Sequence, residues 1–225
     1  MQENVVNWQA LGEQAVILQW PQYHADVTSQ IMQLVQSLQQ SPFAGFVESV
    51  PAFQSLSIHF DLSEMGTVID PHPFVADYVK QLMKSVPSHY ISKSRKIEIP
   101  VFYDDSPDLA ELCRLSGLSR ERWIELHTSA EYTVVCVGFA PGFPYLAGLP
   151  EALQMPRRAE PRLHVQAGSV AIGGAYCGIY PQQSPGGWHI VGRTQVCLFD
   201  AAQQPPALLQ TGDKVHFRAV RERVE

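Results

Sequence analysis

The chain has 225 residues, 45% of them hydrophobic and 17% charged, with a formal net charge of −6. This length and composition fit a globular protein with one large or two small domains, and the negative charge argues against a general nucleic-acid binder. No apolar run approaches the roughly 18 residues of a membrane span, and the polar N-terminus lacks the apolar core of a signal peptide. We therefore expect a cytoplasmic protein that binds neither nucleic acid nor membrane.

The first ninety-odd residues predict a small α+β domain. Two short β-rich segments, VVNWQAL and AVILQW, precede a helix over about 24–39, where apolar residues recur at helical spacing. A second helix is expected over about 72–84. The remaining expected strands are FVESVP, SLSIHF and KIEIPVFY. The order strand, helix, strand, strand, helix, strand predicts a ferredoxin-like domain.

A polar, proline-containing stretch, VPSHYISKSR at 86–95, predicts a domain boundary. We divide the chain into an α+β domain at 1–92 and a mainly-β domain at 93–225, while IEIP either closes the first sheet or opens the second domain. Two short helices come first in the second domain: DLAELCRLS, ending at Gly117, and one from the N-cap Ser119 to about His127.

From residue 132 onward the sequence indicates β-structure. Ten of the fifteen glycines lie between 138 and 192, and proline and glycine clusters separate the apolar segments. Many short strands with such turns predict a barrel or a sandwich. The expected strand segments are YTVVCVGF, LHVQAGSVAI, CGIYP, HIVGR, TQVCLFD and DKVHFRAV.

Common cofactor and nucleophile motifs are missing from the sequence. It contains no C-x-x-C, no H-E-x-x-H and no G-x-S-x-G, so we expect no metal site. Neither phosphate-binding fingerprint, G-x-x-x-x-G-K-[ST] or G-x-G-x-x-G before a helix, is present. The backbone of AIGGAYCG offers N–H groups to an anion, although a hairpin turn explains its glycines equally well.

Arginine is concentrated in the glycine-rich part of the chain. Between residues 132 and 199 there is no lysine, and the only acids are Glu151 and Glu160. The cations of this segment are Arg157, Arg158, Arg162 and Arg193. Arginine without lysine indicates bidentate recognition of carboxylate or phosphate, and the alternative is surface pairing with the two acids.

Two histidines and two serines are candidate polar groups. His127, at the end of a predicted helix, either caps that helix or acts as a general acid or base. In HIVGR, alternation places His189 and Arg193 on one face, which is either solvated or the lining of a pocket. Ser169 and Ser184 are candidate hydroxyl groups, for which turn capping is the alternative role.

Several long motifs in one order carry a family resemblance. GFAPGFPYL, PRRAEPR and QAGSVAIGGAYCGIYPQQSPGGWHIVGRT resemble the KipI family, also called allophanate hydrolase subunit 1. The resemblance covers about residues 96–218, and the first ninety residues share only the strand order. Gln166 stands where the family pattern has proline, and the segment FYDDSPDL is compressed, which affects loop shape more than function.

The resemblance implies an α+β domain followed by a cyclophilin-like β-barrel. It implies a component of an ATP-dependent 5-oxoprolinase complex, which opens the small anionic lactam 5-oxoproline to glutamate. The implied partners are a C-type component, similar to allophanate hydrolase subunit 2, and a barrel-type component of the A type. ATP is the implied cofactor, bound with or by a partner, and we expect the isolated chain to be inactive.

The site hypothesis combines this resemblance with the arginine concentration. We expect a pocket between the GFAPGFPYL loop and the SPGGWHIVGR hairpin. The residues expected to bind substrate or ATP are Arg157, Arg162, Arg193, Ser169 and Ser184, with Tyr145 and Trp188 as walls. The expected catalytic candidates are His127, His189 and Arg193.

Two other classes of function remain open at the level of the sequence. The family also includes an inhibitor of a sporulation histidine kinase, so a regulator without catalytic activity is the first alternative. In that case the Gly/Pro/aromatic loop docks on a protein. A prolyl isomerase is the second alternative, and it rests on fold analogy alone.

Overall fold

The computed structural model divides into two compact units, residues 1–93 and 94–225. The structure describes residues 6–21, 27–85, 94–104 and 106–221. Each unit has its own hydrophobic core. No helix among the described residues is long and apolar enough to cross a membrane.

Unit 1 is a four-stranded antiparallel sheet with two helices. Its elements are β1 (Asn7–Ala10), β2 (Ala15–Gln19), α1 (Val27–Gln40), β3 (Phe46–Ala52), β4 (Ser55–Phe60), a short 3-10 helix (Leu62–Glu64) and α2 (Pro71–Ser85). The strand order in the sheet is β1-β2-β4-β3. The apolar side chains follow the expected periods: Leu56, Ile58 and Phe60 alternate along β4 and are buried.

The ferredoxin-like prediction is not confirmed, although both helices form close to their expected positions. The observed order is strand, strand, helix, strand, strand, helix, and β1 occupies the sheet edge beside β2. The segment KIEIPVFY, which the sequence allowed either to close this sheet or to open the second domain, forms β5 (Lys96–Phe102), which runs parallel to a strand of the second unit. Its side chains Ile99 and Val101 are fully buried there, and the burial of this apolar surface favours pairing of the strand within the barrel. Residues 22–26 and 86–93, where a helix start and the domain boundary were expected, lie outside the described residues.

Unit 2 confirms the prediction of a β-barrel. The elements after β5 are α3 (Leu109–Ser116), α4 (Arg120–Ser129), β6 (Tyr132–Val137), β7 (Pro144–Ala147), a 3-10 helix (Glu151–Leu153), β8 (Arg162–Val165), β9 (Ser169–Gly173), β10 (Tyr176–Ile179), β11 (Ser184–Gly186), β12 (His189–Arg193) and β13 (Lys214–Val220). Seven strands close in the order β10-β7-β6-β13-β5-β12-β9, and β8 pairs with β11 in a separate two-stranded ribbon.

The prediction of a strand at TQVCLFD in the second unit is wrong. Residues 194–198 are irregular, and Phe199 forms only an isolated bridge with Ala207. Leu198 of this segment is buried in the barrel core, so its apolar pattern reflects core packing rather than a strand ladder. The predicted N-cap Ser119 and the predicted helix end at Gly117 are both confirmed. The Ser119 hydroxyl accepts from the Arg122 N–H (3.2 Å), and Gly117 ends α3 at φ 69°.

His127 projects from α4 into the barrel core, where it is fully buried. Its ring stacks on Trp123 and Phe217 at centroid distances of 5.3 and 4.7 Å. Its Nδ1 lies 2.8 Å from the Tyr103 hydroxyl, and its Nε2 lies 3.6 Å from the Cys177 sulfur. Burial lowers the pKa of His127 from 6.5 to about 3, so the ring is neutral and part of the core.

This buried ring predicts acid sensitivity. Between pH 6.5 and about 3 the unfolded chain binds a proton at His127 that the folded chain does not, so stability falls as the pH falls through this window. We expect a loss of about 2 kcal/mol between pH 6.5 and 5 from this group. Urea unfolding at pH 7, 6 and 5 measures it, and His127→Gln removes that part of the slope.

The matched control is His164→Gln, because His164 is exposed and its ring hydrogen-bonds to the Gln183 side chain at 3.3 Å. It should keep the pH slope of the wild type. An unchanged slope in His127→Gln, or an equal change in both variants, contradicts the assignment.

Candidate functional site

The register of the barrel places a row of side chains on the outer side of its wall. Cys136, Tyr145, Gly178, Ala171 and Ile190 are direct neighbours across β6, β7, β10, β9 and β12. The next row includes residues of the barrel core, so these five lie on the opposite side of the wall. Small residues in the middle of the row leave space for large rings to pack against the backbone.

Five aromatic rings cover this row and form a surface that we call the aromatic face: Phe139, Phe143, Tyr145, Tyr180 and Trp188. Phe143 lies at its centre and meets the other four rings edge-on at centroid distances of 5.0–5.8 Å. A Cβ on Gly178 would come within 2.7 Å of the Phe143 ring. Glycine at this position is therefore required by the ring above it.

The GFAPGF segment is a tight turn that presents one ring to solvent. The Gly138 N–H donates to the Phe143 carbonyl and the Phe143 N–H donates to the Ala140 carbonyl, both at 3.0 Å. Phe139 adopts φ 72°, a conformation that costs a residue with a Cβ about 1–2 kcal/mol. Its side chain is nevertheless 65% exposed. The turn thus holds an apolar ring outward at a cost in backbone energy.

Arg157 lies at the edge of the aromatic face. Its guanidinium carbon is 5.9 Å from the centroid of the Trp188 ring, which is cation–π geometry. Arg157 is exposed, and no carboxylate within the described part of the chain pairs with it. The face therefore combines aromatic rings with one exposed planar cation.

The adjacent arginines are held by an acid that the sequence reasoning missed. Asp108, which is 5% exposed, accepts from Arg162 at 2.7 and 2.8 Å, from Arg158 at 3.2 Å and from the Ile190 N–H at 2.7 Å. Burial opposes its ionisation, but these hydrogen bonds and the two cations outweigh burial and keep the pKa of Asp108 below its ordinary value. In the sequence it stood out only as the first residue of the predicted helix DLAELCRLS.

The expected common face of His189 and Arg193 does not form. A β-bulge between Ile190 and Gly192 shifts the register, so His189 pairs with Ile172 and Arg193 with Ser169. Those partners lie on opposite faces of β9. His189 donates from Nε2 to the Pro156 carbonyl (3.0 Å), and Arg193 donates to the Gln166 side chain (2.7 Å).

The structure thus brings together three of the candidates, Tyr145, Arg157 and Trp188. Arg162 faces Asp108, and His127 is enclosed in the barrel core. The two candidate serines lie on strands. Ser169 is buried in β9, and the Ser184 hydroxyl in β11 is buried without a hydrogen-bond partner among the described residues.

The glycine turn considered for anion binding is the β9–β10 hairpin. Gly174 adopts φ 63°, and its N–H donates to the Met155 carbonyl at 2.7 Å. A Cβ on Gly173 would meet the Trp188 ring at 2.8 Å. These glycines serve the hairpin and the packing of a ring, and the Gly174 donor is not available to a phosphate.

Comparison with known proteins finds relatives that match most of this chain. Residues 6–209 match the family model described as carboxyltransferase domain, subdomain C and D. The B-type subunit of 5-oxoprolinase from Bacillus subtilis (strain 168) is 35% identical over 224 residues, covering 95% of this chain and 92% of that protein. The protein of the same name from Escherichia coli O157:H7 is 41% identical over 219 residues, covering 95% of this chain and 96% of that protein.

A solved structure shares the architecture. The crystal structure of TTHA0988 superposes with a TM-score of 0.79 at 32% sequence identity and covers 98% of this chain. The match spans only 41% of that chain. In TTHA0988 the same body is therefore continuous with a longer polypeptide.

The Asp108 cluster predicts a large difference between two aspartates. Asp108→Ala leaves Arg158 and Arg162 half-buried without their acid, and we expect a loss of about 3 kcal/mol or more in the free energy of unfolding. The control Asp104→Ala removes an exposed ion pair with Arg120 and should cost at most about 1 kcal/mol. Urea denaturation of both variants measures this, and equal losses would contradict the assigned role.

Proposed function

This chain belongs to the family of the carboxyltransferase domain, subdomain C and D, and we propose that it is a component of an ATP-dependent 5-oxoprolinase complex. The observation that carries the proposal is the similarity to two proteins named as the B-type subunit of 5-oxoprolinase, 35% and 41% identical over 95% of this chain. Because those proteins are also matched over 92% and 96% of their lengths, no large part of either lacks a counterpart here. The proposed reaction opens 5-oxoproline to glutamate.

The distribution of polar groups supports a reaction carried out by the assembly. The buried His127 has a pKa of about 3 and is remote from solvent, so it is a poor proton carrier near neutral pH. Arg162 is committed to Asp108. We therefore propose that the isolated chain does not turn over, and that the groups needed for ring opening converge only when companion subunits are present.

We propose that ATP binds to the companion subunits or at a site shared with them. The β9–β10 turn does not fit the phosphates, since the Gly174 N–H already donates to Met155 and the preceding Gly173 packs under Trp188. When bound, ATP supplies a phosphoryl group that activates the lactam carbonyl. We propose as companions a C-type subunit and a barrel-type subunit of the A type.

Reconstitution tests this proposal. We expect glutamate and phosphate to appear together when this chain is combined with A-type and C-type subunits, ATP and 5-oxoproline. Omitting this chain, or supplying it alone, should abolish both products. The substrate control is 2-pyrrolidone, which has the same lactam ring without the carboxylate and should not stimulate ATP hydrolysis.

Two results would contradict the proposal. One is turnover by the purified chain at the rate of the complete complex. The other is stoichiometric binding to a histidine-kinase domain together with an inactive reconstituted mixture, which would instead favour a regulator.

A further inference from the structure

We infer that the aromatic face, with Arg157 at its edge, is the surface through which this chain docks on a companion subunit. The inference rests on the proposed function, since it names the surface that holds that complex together. The partner segment that fits it carries an apolar side chain against Phe139 and a carboxylate against Arg157.

The exposed ring of Phe139 is the first observation. Its backbone lies in the left-handed region and its side chain is 65% exposed, so the fold gains little from the ring it holds outward. Edge-on contacts with Phe143 and Tyr180, at 5.4 and 6.4 Å, fix its direction. A ring that is already oriented loses little conformational entropy when a partner covers it.

The layer beneath this ring is buried and packs closely against glycines. Phe143, Tyr180 and Trp188 are all buried, and Gly173, Gly178 and Gly186 allow them to lie against the backbone. Aromatic side chains together with arginine are the residues that dominate the binding energy of protein interfaces. The face thus has the composition of an interface centre and a base that does not need to rearrange.

Charge defines the chemistry of the partner. Arg158 and Arg162 share Asp108, whereas Arg157 has no acid among the described residues and stacks on Trp188. A guanidinium over an aromatic surface binds a carboxylate in two parallel hydrogen bonds once water is excluded. The partner therefore supplies an aspartate, a glutamate or a chain-terminal carboxylate.

A relative supports a companion polypeptide as the occupant. TTHA0988 contains this body as 41% of a longer chain, so there the body is covalently joined to further polypeptide. Separate subunits have no such covalent link and need a surface that holds them together. The aromatic face provides apolar contact and one directed charge for that purpose.

Site-specific cross-linking in the assembled complex locates the surface. We expect p-benzoylphenylalanine placed at Phe139 to cross-link this chain to a companion subunit. The control position is Leu115 of α3, which is 53% exposed and should give no such product. Cross-links within the chain, to a second copy of it, or to no protein would overturn the inference.

Affinity measurements use two substitutions that the fold tolerates. Phe139→Gly removes an exposed ring and relieves the positive φ, so the melting temperature should not fall, while affinity for the companion subunit should drop at least about tenfold. Arg157→Ala should weaken binding at low and at high salt, because salt screens an ion pair little once water is excluded from it. The control Arg114→Ala, on the surface of α3, should bind like the wild type.

The outcomes separate this inference from the proposed function. If Phe139→Gly binds the companion subunit like the wild type while the complex turns over 5-oxoproline, the aromatic face is not the docking surface and the proposed function stands. If Phe139 cross-links to a companion subunit and 5-oxoproline is not turned over, the surface stands and the proposed reaction is wrong. Failure of the wild-type chain to assemble at all overturns both.

Discussion

The arrangement of the outer barrel surface depends on the hydrogen bonds that the Asp108 carboxylate accepts. It joins the start of α3, the arginine segment before β8 and the backbone of β12 at a position almost closed to water. A half-buried pair of arginines is stable there only because one acid accepts from both of them. Arg157 precedes Arg158, and Trp188 lies two residues before Ile190. Because Asp108 holds Arg158 and the Ile190 N–H, it also helps to position the stacked pair Arg157 and Trp188.

The wall of the closed barrel separates a packed interior from the aromatic face. Its interior is filled with aliphatic and aromatic side chains together with one neutral histidine, His127, whose ring packs like an aromatic residue. Because strand residues alternate between the two sides of the wall, the row beneath the aromatic face points away from this core. The one glycine of that row, Gly178, lets the Phe143 ring lie against the backbone.

Phe139 and Arg157 each have a feature that the described part of the chain does not compensate. Phe139 combines a strained backbone with an exposed ring, and Arg157 has no acidic partner among the described residues. Under the proposed docking, a companion subunit covers the ring and pairs with the guanidinium. The free energy of that contact then offsets the backbone cost at Phe139, while its positive φ is kept.

The sequence by itself determined the two helices of the first unit, the two short helices and most strands of the second, and the family, because periodicity and long motifs are local properties. It also proposed Tyr145, Arg157 and Trp188 for one site, and the structure places these three side chains next to one another. Only the tertiary structure decided that KIEIPVFY belongs to the barrel and that His127 is enclosed in its core, since burial depends on contacts distant in sequence. It likewise separated His189 from Arg193 through a bulge and paired Arg162 with Asp108, 54 residues away.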